Sequence, residues 1–358
     1  MHCPTLLELP LPPLGKTGWP WTASIPTLPP TMPNGAVWPR ISIVTPSYNQ
    51  GQFIEETIRS VLLQGYPDLE YFIMDGGSID GSLDIIRKYA PWLTFWVSER
   101  DAGQSDAINK GWKRASGELL AWLNADDVYE PCALSRIAPP WAACPSIGLI
   151  HGWCLEFDEA GVRRTMGEPY DIVTALVSGY DRGGRVAQPA AFVSRETVSR
   201  VGMLDVHLKQ SMDKDLYQRI AAFSKAVFLP ETLARFRIHG QQLSQQHARD
   251  HRFLISRERL VALENLFAIG GLPSQVSKLR RKAMARTHLR LAQELRFSAA
   301  PHLAAKHLFL SVWYLPVIRE WADLRILGLA VLGPRLVSFF SGVKQKGFVE
   351  TKKRATVR

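Results

Sequence analysis

Cysteine is scarce in this chain: Cys3, Cys132, Cys144 and Cys154 are the only four in 358 residues, with no C-x-x-C pair. A cysteine-built zinc ribbon or dithiol redox centre is excluded, and reduced, structurally idle thiols are expected. No basic segment followed by an apolar core opens the chain, so no secretory signal is read there. These two absences predict a cytoplasmic protein. Uninterrupted hydrophobic runs are missing as well. The stretch 324–343 is broken by Arg325, Pro334 and Arg335, whereas a spanning helix needs about 20 predominantly apolar residues. Acidic residues nearly vanish towards the C-terminus: residues 251–358 hold 20 basic and 6 acidic side chains, against 23 and 27 in residues 1–250. The net charge of +10 therefore belongs to the last part of the chain, and a basic, nucleic-acid-binding main domain is excluded.

What is present divides into three regions. Residues 1–39 hold ten of the 24 prolines, too many for helices or central strands. They predict an extended arm, and Trp19, Trp21 and Trp38 predict that it packs along the neighbouring domain. Residues 40–250 alternate between two periodicities. Strands are expected at 41–44, 69–74, 93–97 and 119–123, with helices at 52–64, 83–89 and 104–114. Four alternations in about 85 residues predict an α/β fold with a mainly parallel, Rossmann-like sheet. Residues 148–230 are more mixed: strands at 147–153 and 189–193, a helix at 196–201, and a Gly- and Arg-rich loop from Ser178 to Gln188. Residues 251–358 form a basic, helical C-terminal region.

In open α/β sheets ligands bind beyond the carboxyl ends of the strands. The residues expected there are Thr45–Asn49, Asp75–Ser78, Ser98–Asp101 and Asn124–Asp127. Adjacent carboxylates Asp126 and Asp127 after a buried strand suit a hard divalent cation and its phosphate ligands; capping of the next element is the plainer alternative. Asp75-Gly76-Gly77-Ser78 is a strand-to-helix turn whose glycines let backbone approach a ligand closely.

Taken together, Thr45-Pro46-Ser47-Tyr48-Asn49, Asp75 to Ser82, Ser98 to Gln104, Asn109-Lys110-Gly111 and Leu123 to Asp127 resemble family 2 glycosyltransferases in order and spacing. The resemblance covers about residues 40–245 and implies the GT-A fold, with inverting transfer of a sugar from a nucleotide donor to an acceptor hydroxyl. It implies that Pro46, Tyr48 and Asp75 begin the nucleotide pocket, with Asp75 on the base, and that Asp101 and Lys110 line its donor side. Asn124-Ala125-Asp126 stands where the family has D-x-D, the first Asp replaced by Asn, whose amide oxygen still accepts and keeps the implied contact to the donor's ribose. Asp126 is then the implied metal ligand, supported by Asp127 and His239, and the implied cation is Mn²⁺ or Mg²⁺. Ser211 to Leu216 is similar to the family's acidic motif. Asp213 matches the catalytic base, but Met212 stands where Glu is commoner, so Asp215 remains a rival. Arg237 is implied at the leaving diphosphate. The implied partners are a UDP- or dTDP-linked sugar and a saccharide or lipid-linked saccharide acceptor, as in surface polysaccharide or glycoconjugate synthesis. A non-catalytic scaffold of the same fold and a sugar-phosphate nucleotidyltransferase are the alternatives. The nucleotidyltransferase would require a Gly-rich loop bearing Lys or Arg after the first strand, and Tyr48–Gln52 carries no such cation.

The C-terminal region lies outside these motifs. Its apolar windows 308–315 and 324–332, interspersed with Arg319, Arg325 and Arg335, and its tail Lys344–Arg358 fit an amphipathic segment on an anionic membrane surface. That would make the protein peripheral on the inner face of the cytoplasmic membrane. A helical subdomain packed on the catalytic half is the alternative.

Overall fold

The computed structural model describes residues 3–144, 146–178, 182–240, 254–295 and 301–314. The first half is a run of strand–helix units: β1 (Ile41–Ser47), α1 (Ile54–Leu62), β2 (Leu69–Asp75), α2 (Ser82–Tyr89), β3 (Phe95–Ser98), α3 (Gln104–Trp112) and β4 (Leu119–Trp122). Every residue of β1 and β4 is buried, as parallel strands covered by helices on both faces must be. Helix α3 lies so close to β1 that a Cβ on Gly111 would sit 2.6 Å from Val44 Cγ2. These strands pair in parallel in the order β3-β2-β1-β4. The order turns back at β1, and the crevice such a switch point opens lies where the β1 and β4 ends emerge.

The second half departs from the parallel expectation. It continues with β5 (Val128–Tyr129), α4 (Ala133–Ala143), β6 (Ile147–Asp158), β7 (Gly161–Met166), α5 (Ile172–Ser178), β8 (Ala191–Ser194), α6 (Arg195–Val201), α7 (Met212–Phe223) and β9 (Lys225–Arg237). Strand β8 runs antiparallel to both β4 and β6, β6 is parallel to β9, and β5 closes the edge antiparallel to β9. The result is one mixed, nine-stranded sheet. Strand β9 runs straight through Pro230: the register jumps from Gly152↔Leu229 to Trp153↔Thr232, so Pro230 and Glu231 bulge out of the ladder where no N–H is needed.

The N-terminal arm packs onto this sheet's helices. Cys3, Leu9, Trp21, Met32 and Trp38 are buried, and Trp19 Nε1 donates to the Tyr129 carbonyl at 2.7 Å. Arg59 of α1, fully buried, donates to the carbonyls of Pro10, Pro20 and Trp21 and to the Tyr89 hydroxyl. Towards the C-terminus, α8 (Leu254–Ala268), α9 (Arg280–Leu295) and α10 (Pro301–Tyr314) follow. Leu263, Leu266, Ala283 and Met284 share a core with Ala222 of α7 and Leu176 of α5. Among the described residues no helix is long and apolar enough to cross a membrane. The windows 324–332 and 344–358 lie outside the described residues.

Candidate active site

The site grows from the carboxyl ends of β1 to β4. After β1, Tyr48 is 61% exposed and Asn49 adopts the left-handed region, φ 52°. Its side-chain oxygen accepts from Ile79 N–H while its own N–H donates to Ser78 Oγ. After β2, Asp75 is buried. Its Oδ2 accepts from Gly77 N–H, Ser78 N–H and Ser98 Oγ, and its Oδ1 from Ser78 Oγ at 2.5 Å. A carboxylate offers about four acceptor positions, and here the turn and Ser98 fill them. Asp75 thus shapes the turn in this structure. Gly76 is pressed into a cradle: a Cβ there would lie 2.9 Å from Asp101 Oδ2 and 3.4 Å from the Tyr48 ring. The structure therefore brings Tyr48, Gly76 and Asp101 together, with Asp101 Oδ1 accepting from Gly103 N–H at 2.8 Å.

Lys110 is differently employed from the expectation. Its ammonium pairs with Glu99 at 2.9 Å and Asp106 at 3.4 Å, a one-turn pairing on α3. Pro46 stays inside β1, opposite Met74.

Beyond β4, Asn124 is clamped from both sides. Its Oδ1 accepts from Gln104 Nε2 at 2.6 Å, and its amide donates to Gln188 Oε1 and Asp127 Oδ2. The amide that replaces a family carboxylate is thus a hub joining α3, the β4 turn and Gln188. Asp127 also corrects an expectation. It is fully buried, with Oδ1 on the Arg237 N–H and Oδ2 on the Asn124 amide. Burial and the neighbouring Asp126 push its carboxyl well above the usual carboxylate range. It fixes backbone instead of facing a cation. Asp126 does converge with His239, Oδ2 to Nε2 at 2.9 Å.

Several residues that pattern reading missed hold this pair. Phe53 packs against the His239 ring at 4.6 Å, and Thr57 Oγ1 donates to the Asp127 carbonyl at 2.7 Å. Arg237 is sandwiched between Phe53 and Phe157. It donates to the Asp126 carbonyl and to Glu56 Oε2. These contacts make Arg237 a brace for the turn. Glu56 and Phe53 sit on the polar-to-apolar boundary of α1, and only their helical spacing signalled anything.

Whether a cation fits can be asked of the donor atoms. Among the described residues no three His, Cys, Asp or Glu side chains converge on one point. Asp126 Oδ2 and His239 Nε2, hydrogen-bonded to each other at 2.9 Å, are the two groups that would hold a cation. Two protein ligands suit ions that complete their coordination with substrate phosphates and water.

The acidic motif sits at the start of α7. Asp215 is fully buried, paired with Arg219 at 2.6 Å and bonded to Asn265. Arg219 in turn donates to the carbonyls of Val201, Gly202 and Met203, so Asp215 belongs to a buried structural pair; burial pushes its carboxyl up as well, against the pull of Arg219. Asp213 is partly buried, and burial pushes its carboxyl above the ordinary range while Lys214 pulls the other way. Its neighbour Met212 accepts from Ser105 Oγ at 2.7 Å, and Ser105 follows Gln104, which holds Asn124. This short series of contacts ties the start of α7 to the Asn124 turn.

A family model described as glycosyl transferase family 2 matches residues 42–192, the span that contains every strand-end motif of the first half. That part of the chain is similar to glycosyl transferase family 2. An uncharacterized glycosyltransferase of Nostoc sp. is 30% identical over 213 residues, covering 56% of this chain and 65% of the relative. The match therefore spans just under two thirds of that relative. Among solved structures, the chain is similar to the mannosyltransferase PcManGT from Pyrobaculum calidifontis in complex with GDP-Man and Mn²⁺. The TM-score is 0.53 and the identity 21%, over 85% of this chain and 84% of that one. S. aureus TarS 1-349 in complex with UDP-GlcNAc gives a TM-score of 0.59 at 15% identity, over 81% and 85% of the two chains. At such identities the likeness shows the fold, which is of the GT-A type with added C-terminal helices.

Proposed function

We propose that this protein is an inverting glycosyltransferase that moves a sugar from a nucleotide donor to an acceptor hydroxyl. The observation that carries the reading is the Asp126–His239 pair at the β4 end, 2.9 Å apart, on the same sheet edge as the close-packed Tyr48, Gly76 and Asp101. Asp213, at the start of the helix tied to that turn, is the group left to take a proton, because Asp215 is neutralised by Arg219. Raised basicity suits a general base, whose proton affinity should approach the working pH. In the reaction, Asp213 accepts the acceptor's hydroxyl proton. The freed oxygen attacks the anomeric carbon from the face opposite the diphosphate, and the bond to the diphosphate breaks with its electron pair leaving on the phosphate oxygen. Asp126 and His239 would hold Mn²⁺ or Mg²⁺, which stabilises charge on a departing diphosphate. Tyr48 offers a ring face to the base, and Asp101 and Gly76 bound the sugar-diphosphate side.

The PcManGT and TarS complexes carry GDP and UDP sugars respectively, so the base is to be read by assay; we propose a UDP- or dTDP-linked donor and a saccharide acceptor in surface polysaccharide or glycoconjugate synthesis. Donor turnover is measured on UDP-, dTDP- and GDP-sugars with Mn²⁺, with Mg²⁺ and with a chelator, for wild type and Asp213→Asn. Expected are loss of turnover in the chelator and a drop of about 10²-fold or more in the variant. Wild-type turnover in Asp213→Asn removes the base assignment. Binding of a donor without turnover by the wild type, under every condition, leaves the scaffold reading.

A further inference from the structure

The family match ends at residue 192, yet the surroundings of Asp213 include a helix well beyond it. Glu258, on α8, is 5% exposed. Its Oε1 accepts from the Lys209 N–H and its Oε2 from the Gln210 N–H, each at 2.8 Å. That is a two-oxygen grip on the backbone immediately before α7. The same helix holds α7 and its approach at three more points. Asn265 donates to Asp205 Oδ2 and Asp215 Oδ1, and Gln218 Nε2 donates to the Ala262 carbonyl at 2.6 Å. A buried carboxylate accepting two backbone N–H bonds is a strong, directional tie. It also places negative charge near the base, and Lys209 extends from the gripped segment until its ammonium lies 3.7 Å from where a Cβ on Gly103 would be.

We propose that Glu258 is a positioning residue for the base at Asp213: its grip on Lys209 and Gln210 sets where α7 begins. This rests on Asp213 being the base. The C-terminal helices are then part of the catalytic machinery and not an appendage to it. The charge acts in a defined direction, since a nearby anion raises a carboxyl's proton affinity, and Glu258 is among the groups that raise Asp213. Removing the charge while keeping an oxygen should therefore shift the acid limb of the rate profile to lower pH. Removing the grip should lower turnover without weakening donor binding.

The test uses the full chain as wild type, Glu258→Gln, Glu258→Ala and Asp213→Asn, with kcat and donor KM followed across pH and folding followed by thermal melting. For Glu258→Gln we expect a fall in kcat of about tenfold, or 1.4 kcal/mol, an unchanged donor KM and an acid limb displaced downwards. Glu258→Ala should lose more; if it does not fold, Glu258→Gln carries the test. A lower melting temperature with wild-type kcat and an unmoved limb makes Glu258 a fold brace only and overturns the proposal. Wild-type turnover in Asp213→Asn overturns the base reading itself, whereas an inactive Asp213→Asn beside an unaltered Glu258→Gln overturns this inference alone.

Discussion

At the scale of the residue, the site is governed by how little room surrounds a few atoms. Gly76 accepts no side chain without moving Asp101 or Tyr48, and Asp101 cannot swing freely because its other oxygen holds the Gly103 N–H. Gly76→Ala should keep the fold and weaken donor binding about tenfold, since 1.4 kcal/mol of displaced contact is enough for that. Calorimetric titration with a nucleoside diphosphate checks it, and wild-type affinity would show that the cradle is not the nucleotide site. Individual site residues were legible in the chain to different degrees. Asp126 and His239, both named from the chain, are hydrogen-bonded to each other at 2.9 Å. Asn124, Lys110 and Arg237 were named for donor contacts yet are engaged by Gln104 and Gln188, by Glu99 and Asp106, and by Glu56. Arg237 and Glu56 are 181 residues apart, and no local pattern announces such a pairing.

At the scale of the element, each piece is held by a specific polar tie as well as by its apolar face. The arm depends on Arg59, whose guanidinium satisfies three arm carbonyls inside the protein. Arg59→Met keeps much of the volume but strands those acceptors, and each buried unsatisfied group costs about 1–3 kcal/mol. We expect a lower melting temperature by several degrees and faster tryptic cleavage after the exposed Lys16; unchanged values for both would show that apolar packing alone secures the arm. The elements β1 to β4 and α1 to α3 were readable because their periodicities are uninterrupted. The second half was harder for identifiable reasons. Helix α4 contains Pro139 and Pro140, which a local rule treats as helix breakers. Strand β7, Gly161–Met166, is almost wholly exposed and lacks the apolar run that marks a strand. Strand β9 crosses a proline only because two residues bulge together.

At the scale of the whole molecule, the mixed sheet buries a group that pH can turn against the fold. His151 of β6 is fully buried, and burial pulls its pKa from 6.5 down to about 4. Folded His151 is therefore neutral where the unfolded chain would bind a proton. Its stabilising state is intact above about pH 6.5 and is lost progressively as pH falls towards 4. At pH 5 one such group costs about 2 kcal/mol. His288, drawn down to about 4 by burial and by His307, acts in the same direction. The melting temperature should decline between pH 7 and pH 5, and His151→Leu should flatten part of that slope. A variant with the wild-type slope would assign the decline to other groups. The fold class was legible at this scale, and the charge asymmetry was too: the 20-to-6 excess of basic over acidic groups falls on the region whose first helix, α8, braces the acidic half.

The arm has a consequence for the order in which the protein is made. Its residues are synthesised before their partners: Arg59 takes hold of Pro10, Pro20 and Trp21, and Trp19 must wait for the Tyr129 carbonyl, 110 residues downstream. At about 5–20 residues per second, that interval is on the order of 5–20 seconds. Throughout it, Trp19 lacks its native acceptor, which leaves this part of the arm open to capture by a chaperone.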